Sequence, residues 1–307
     1  MRFLKRDSGN AGEGTAGRSG SVLTSAELAR FMDLVRAWLR ANTREFHEVD
    51  GGGIDAILPN GEKLQIGLVN LMQKCGRADE KEWPDLIRGH LGSLVAAQDE
   101  LDLSFENASS MIKVRLFPEH LGLPTDGDPR KQPLSDVVAP GIRRILALDL
   151  PTTVRTVSLD QVDRWGQTPD AMWDLALENI RAQDIPDLTR IANGAATLLS
   201  GESFFIASWV LMLERYLDPV PERGALVIVP NRHTLAFVPI VDGSFLTTLG
   251  PFAQLAQTQF QQGPGSISPN LYWWRPSGLT LLPTEIKDRQ LAFTPPDEFN
   301  AMVMTLK

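Results

Sequence analysis

The stretch Ala225–Ile240 reads ALVIVPNRHTLAFVPI. Two apolar runs rich in β-branched residues meet in it at a Pro-Asn-Arg-His junction, residues 230–233. Strand-forming residues on both sides of a short polar junction are typical of two antiparallel strands joined by a tight turn. The sequence therefore predicts a β-hairpin here, with its turn at Asn231, Arg232 and His233.

The composition sets limits on the class of protein. The chain has 307 residues, 43% of them hydrophobic, which is enough to bury a sizeable core in one large domain or two smaller ones. Its net charge of -8 argues against a general phosphate-binding surface, so nucleic acid is not an expected partner, although local basic patches stay open. The single cysteine, Cys75, excludes an internal disulfide and fits a reducing cytosol. We therefore expect a soluble, cytoplasmic protein.

Neither the N-terminus nor any internal segment is typical of a membrane protein. The first six residues are basic, but the apolar segment of a signal peptide does not follow them. Glycine and serine are frequent over 7–21 instead, which predicts a flexible tail over 1–23. The longest apolar run, Phe204–Leu213, is shorter than the roughly 20 residues that a membrane-spanning helix needs. We expect a buried helix over Phe204–Leu217 and no membrane insertion.

Helical and extended segments alternate along the chain without a regular βαβ rhythm. This arrangement predicts an α+β fold with antiparallel or mixed sheets and packed helices, and two similar α+β lobes are one way to arrange it. Four prolines fall within 121–141, which predicts a long loop or linker there. The predicted lobes are therefore 24–120 and 142–307.

Five segments, in their order and spacing, carry a likeness to a known family. They are Ile112–Pro118, Leu146–Asp149, Val157–Gly166, Ala176–Asn179 and Val227–Phe237. Together they resemble the YtpQ-like family of uncharacterised bacterial proteins over most of residues 25–285. The resemblance implies a fold and a bacterial cytosolic setting, but no reaction and no catalytic residues. Family members tend to place an aspartate where His233 stands, which argues against an essential carboxylate at that turn.

Four dispersed polar residues are candidates for a hydrolase-type site: Asp149, Arg155, Arg232 and His233. Asp149 ends an apolar strand and Arg155 follows it closely, so a structural ion pair across a hairpin is the simpler interpretation. His233 lies at a turn, where exposed polar residues are common, and is interpreted as a solvated turn residue. Catalytic groups often meet only in the fold, so the hydrolase stays open as the alternative function.

Metal and cofactor sites are not expected. The four histidines lie far apart in sequence, and none of them forms an HxxxH or HExxH pattern. The glycine-rich turns lack the GxxxxGK[ST] or GxGxxG spacing that presents backbone amides to phosphates.

One aromatic segment, Tyr272–Arg275, is a candidate binding surface. In a strand, Trp273 and Trp274 point to opposite faces, so at least one of them can be exposed beside Arg275. An exposed tryptophan next to an arginine is suited to anchor a protein partner or to stack on a base, and an acidic chain favours the protein. The leading hypothesis is a non-catalytic protein-binding or adaptor module that uses Trp273, Trp274 and Arg275.

Overall fold

The computed structural model describes residues 23–49, 53–59, 63–96, 104–120, 128–150, 154–183, 185–287 and 290–306. The tail predicted over 1–23 lies outside these ranges except for its last residue. No helix within them has the length and apolar character that crossing a membrane requires.

Residues 23–96 form an N-terminal unit of helices around a three-stranded sheet. Its elements are α1 (Ser25–Asn42), β1 (Glu45–Val49), β2 (Gly53–Ile57), β3 (Lys63–Gly67), α2 (Val69–Cys75) and α3 (Trp83–Ala96). The strands pair antiparallel in the order β1-β2-β3. A capping box starts α1, as the sequence predicts: the Thr24 hydroxyl accepts from the Glu27 backbone N–H, and the Glu27 carboxylate accepts from the Thr24 N–H. The unit has an apolar core of its own, in which Phe31 and Trp83 are fully buried.

A second sheet is built around one long strand. The elements of this region are α4 (Phe105–Ala108), β4 (Ile112–Pro118), β5 (Ser135–Ala139), β6 (Ile142–Asp149), β7 (Val154–Thr156), α5 (Leu159–Arg164) and α6 (Pro169–Gln183). β6 pairs with β4 on one side and with β5 and β7 on the other. The Asn179 side chain of α6 donates to the carbonyls of Ser109 at 2.7 Å and Ile112 at 2.8 Å, which ties the helix to the start of β4.

The predicted hairpin is confirmed and lies at the centre of the largest sheet. The remaining elements are β8 (Asp187–Ile191), β9 (Ala196–Ser200), β10 (Ala225–Asn231), β11 (Thr234–Pro239), α7 (Leu249–Gln262), β12 (Leu271–Arg275), β13 (Gly278–Leu282), β14 (Thr284–Lys287), β15 (Gln290–Phe293) and α8 (Asp297–Met304). β10 and β11 occupy the middle of a six-stranded sheet with the order β13-β12-β10-β11-β9-β8. All strand pairs in the described ranges are antiparallel, which confirms the α+β prediction.

Both faces of the central hairpin are buried. Successive residues of a strand point to opposite faces, and Val227 and Val229 enter one apolar core while Leu226 and Ile228 enter another. The first core is shared with the β4–β6 sheet, and the second is closed by α7 and α8. The hairpin therefore separates two cores, and all of β10 is buried.

The structure corrects the boundary predicted at 121–141. β4 precedes this stretch and β6 follows it, yet the two pair along their whole length, and β5 lies inside the stretch. A strand pair within one sheet cannot be divided between two lobes, so residues from 104 onward belong with the C-terminal part. The lobes predicted as 24–120 and 142–307 are replaced by the N-terminal unit and the rest of the chain, and the two differ in the size of their sheets.

The helix predicted over Phe204–Leu217 is a 3-10 segment, Ile206–Tyr216, interrupted at Met212. It contacts β4, β10 and β11. The Ser208 hydroxyl donates to the Val114 carbonyl at 2.8 Å, and the Ala207 N–H donates to the Arg232 carbonyl at 3.2 Å. The segment therefore connects β4 to the tip of the hairpin.

Replacing Asn179 with alanine is expected to lower the free energy of unfolding by about 2 kcal/mol, because two hydrogen bonds are lost and two carbonyls lose their donor. Urea denaturation of the variant measures the change. Glu178→Ala is the matched control on the exposed side of α6, and it should stay within about 0.5 kcal/mol of the parent protein. Equal losses in the two variants would show that Asn179 does not anchor the helix.

Candidate functional site

The tip of the β10–β11 hairpin is closed by the side chain of Asn231, which is 1% exposed. Its Oδ1 accepts from the backbone N–H of His233 at 3.0 Å, and its Nδ2 donates to the carbonyl of Gln259 in α7 at 3.0 Å. Asn231 therefore fixes the turn and also ties it to the neighbouring helix.

Arg232 is buried although it lies at a hairpin tip, with 6% of its surface exposed. Its backbone N–H donates to the carbonyl of Gly265 at 3.0 Å. Gly265 has a φ of +68°, and a Cβ at this position would lie 2.7 Å from Cδ of Arg232. The loop before β12 thus covers the arginine with a residue that has no side chain. Burial lowers the pKa of Arg232 to about 10.

His233 is not the solvated turn residue that the sequence predicts. Its Nδ1 donates to the Gly201 carbonyl at 3.1 Å, and its Nε2 accepts from Nε of Arg232 at 2.9 Å. This pairing fixes the neutral tautomer with the proton on Nδ1. Burial and then the charge of Arg232 lower the pKa of His233. Both ring nitrogens are engaged, so the imidazole holds Arg232 in place.

Arg115, on β4, is the second arginine of the site. Phe204 is close to both arginines: its ring centroid is 4.3 Å from the guanidinium carbon of Arg232 and 5.6 Å from that of Arg115. The Arg115 guanidinium also lies 4.6 Å from the ring centroid of Phe117. The Nε of Arg115 is fully buried and has no hydrogen-bond partner among the described residues. Burial, followed by the charge of Arg232, lowers the pKa of Arg115 to about 9.

The N-terminal unit reaches the hairpin tip through Gln73 of α2. Its Nε2 donates to the hydroxyl of Ser266 at 3.2 Å, and its Oε1 accepts from the N–H of Gly265 at 3.3 Å. The same loop that covers Arg232 therefore docks the N-terminal unit beside the site.

The charge of Arg232 also lowers the pKa values of two basic side chains of the N-terminal unit. Lys74 is exposed, and its pKa is lowered by desolvation and then by the charge of Arg232. His90 is partly buried, and burial, Lys74 and Arg232 together lower its pKa to about 4. We call these two residues with Arg115, Arg232 and His233 the cationic cluster.

The cluster lacks a carboxylate counter-ion within the described ranges. Neither arginine forms an ion pair with an acidic residue there, and exposed Glu202 affects the pKa of His233 but not that of Arg115 or Arg232. Lys113, two positions before Arg115 on the same face of β4, provides the contrast. Its Nζ lies 2.9 Å from the Asp149 carboxylate, so this buried cation is neutralised within the protein.

The hydrolase candidates do not assemble. Asp149 pairs with Lys113, and Arg155 is exposed. The predicted Asp149–Arg155 pair is wrong because Arg155 stands opposite Leu148 in the strand register, so it points to the other face of the sheet. Of the four candidates, contact joins only Arg232 and His233.

Both tryptophans of the predicted binding segment are buried. Trp273 and Trp274 point to opposite faces as predicted, but each is 3% exposed because an apolar core covers each face. The Trp273 Nε1 donates to the Arg223 carbonyl at 2.7 Å. Arg275 lies over the Trp273 ring at 3.9 Å and forms an ion pair with Glu298. The segment therefore offers no exposed aromatic surface to a partner.

Within the described part of the chain, no group of three or more His, Cys, Asp or Glu side chains is placed to hold a metal ion. No family model, curated protein or solved structure matches the chain. The YtpQ-like resemblance stays a prediction.

Sequence reasoning missed Arg115, Phe204, Lys74 and His90 as site residues. One signal was present, since apolar and basic residues alternate along Met111–Phe117 and place Lys113 and Arg115 on one face of a strand. Only the fold shows that Lys113 has a counter-ion, whereas Arg115 has none among the residues that the structure describes.

Gly265→Ala is expected to destabilise the protein more than Gly166→Ala does. Gly166 has nearly the same φ, +67°, but a Cβ there would have no atom within 4 Å, so its variant reports backbone strain alone, about 1–2 kcal/mol. The Gly265 variant adds the clash with Arg232. Equilibrium unfolding of both variants, alone and combined with Arg232→Ala, measures the difference, which should disappear in the combined variant. A difference that persists would mean that Arg232 does not fill this space.

Proposed function

We propose that this protein is a non-catalytic binding protein whose ligand is a small anion, or the anionic end of a small molecule, held by Arg115 and Arg232. The observation that carries this proposal is the buried Nε of Arg115, which has no hydrogen-bond partner among the described residues, in a cluster without a carboxylate there.

The energetics support a ligand rather than a purely structural role. Removing an ion from water costs several kcal/mol even after relaxation of the protein. Contacts with Phe204 and Phe117 return about 0.5–2 kcal/mol each, which does not offset the burial of two like charges. A bound anion would supply a counter-charge that none of the described residues supplies, and it would raise the lowered pKa values of both arginines.

The small exposed area of Arg232 limits the size of the ligand. With 6% of its surface exposed, Arg232 offers too little area to follow the backbone of a nucleic acid, and the net charge of -8 repels a polyanion. A compact anionic group fits both constraints.

The same proposal keeps the bacterial cytosol as the setting. Its support is the single cysteine and the YtpQ-like resemblance. The protein-adaptor hypothesis depended on an exposed aromatic segment, and the tryptophans of that segment are buried. We therefore assign the binding role to the cationic cluster. The hydrolase alternative gains no support, because His233 has both nitrogens engaged and Asp149 is paired elsewhere.

Sulfate or phosphate should raise the free energy of unfolding at constant ionic strength, by about 2.7 kcal/mol at one hundred times the dissociation constant, whereas chloride should not. In Arg115→Met this anion response should disappear, while stability without anion should rise by about 1 kcal/mol or more, because the variant removes a partly buried charge that has no counter-ion among the described residues. Chemical denaturation with and without each anion measures both quantities.

Arg164→Met is the matched control, since Arg164 is exposed and ion-paired with Asp160. It should keep the anion response and change stability by no more than about 0.5 kcal/mol. If Arg115→Met instead destabilised the protein and kept the anion response, the arginine would be structural and the proposal would fail.

A further inference from the structure

The cationic cluster draws its charges from three separate elements. Arg115 lies on β4, Arg232 at the tip of the β10–β11 hairpin, and Lys74 near the end of α2. Arg115 and Arg232 both lie over the Phe204 ring. Lys74 follows Gln73, which is hydrogen-bonded to the loop that covers Arg232, so the three cations lie in one region of the fold.

The two histidines of the cluster do not add to its positive charge. The pKa of His90 is about 4 and that of His233 is lowered, so both are neutral at neutral pH. Exposed Glu202 faces His233 from the loop before the 3-10 segment. The two charges that need neutralisation are therefore those of Arg232, which is buried, and Arg115, which is partly buried and whose Nε is fully buried. Lys74 keeps contact with water.

The contacts with aromatic rings limit which N–H groups of the two arginines can bind a ligand. Rings approach both guanidinium groups, Phe204 next to Arg232 and Arg115, and Phe117 next to Arg115. Apart from Nε of Arg232, the guanidinium N–H groups donate no hydrogen bond to the described residues. Two such forks present more donors than the two oxygens of a carboxylate can satisfy, whereas a phosphate monoester carries three strong acceptor oxygens.

We propose that the ligand is a dianion of the phosphate-monoester type, whose two negative charges match the charges of Arg115 and Arg232. This inference rests on the anion-binding function proposed above and gives it a substrate class. A monoanion would balance only one of these two charges. A second negative charge on the ligand doubles its Coulomb attraction to the same cations.

The test compares two probes that differ in charge and in one methyl group. Methyl phosphate becomes a dianion above a second pKa of about 6, whereas dimethyl phosphate stays a monoanion. Calorimetric titration of the full chain between about pH 5 and about pH 8, at constant ionic strength, brackets this ionisation. Methyl phosphate should bind more tightly as pH rises through it, and at the upper pH at least about tenfold more tightly than dimethyl phosphate. Sulfate, a dianion throughout the range, corrects for titration of the protein itself.

A substitution of Lys74, the third cation of the cluster, provides a second test of the preference for a dianion. Lys74→Gln should reduce the preference for methyl phosphate over dimethyl phosphate, because it removes a positive charge that acts more strongly on the dianion. Lys81→Gln, at an exposed lysine paired with Asp79, should leave the preference unchanged. Inorganic phosphate identifies the source of the group: tighter binding than methyl phosphate assigns free phosphate, and weaker binding assigns an ester.

The possible failures are distinguishable. If sulfate, phosphate and both esters all fail to bind, the anion-binding function itself is overturned. If dimethyl phosphate or acetate binds as tightly as methyl phosphate, anion binding stands and the dianion inference is overturned.

Discussion

The burial of both faces of the β10–β11 hairpin is the constraint on which the rest of the structure depends. Antiparallel sheets commonly leave one face to solvent, but here an apolar core lies on each side of β10. The turn that joins two such strands is therefore buried together with them. Its polar groups must then find partners inside the protein, and Asn231 and Gly265 meet that requirement for the tip. The buried arginine is a consequence of the same geometry.

The local part of the fold could be predicted from the sequence because it depends on neighbouring residues. The strand bounds at 271–275 and the helix bounds at 69–75 follow from apolar runs, and the hairpin follows from its turn. The boundary at 121–141 could not be predicted correctly, because the pairing of β4 with β6 joins residues separated by the whole loop. Prolines mark a loop, but they do not tell whether the strands beside it share a sheet.

The candidate site shows the same limit more sharply. Arg232 and His233 were identified because they are neighbours at a turn, whereas Arg115 and Lys74 come from distant parts of the chain. Alternation along β12 correctly placed Trp273 and Trp274 on opposite faces, but it carries no information about what covers each face. Whether a charged side chain has a counter-ion is likewise a property of the assembled fold, as the neighbouring cations Lys113 and Arg115 illustrate.

The hydrogen bonds from Gln73 to the loop at 265–266 join residues about 193 positions apart. A ribosome adding about 5–20 residues per second needs roughly 10–40 s to make the chain between them. The N-terminal unit, with an apolar core of its own, can fold during that interval while its docking partner is still unmade. The cationic cluster can therefore form only after the loop at 265–266 has been made, and a nascent chain that ends before this loop carries Lys74 and Arg115 without Gly265 and Ser266 beside them.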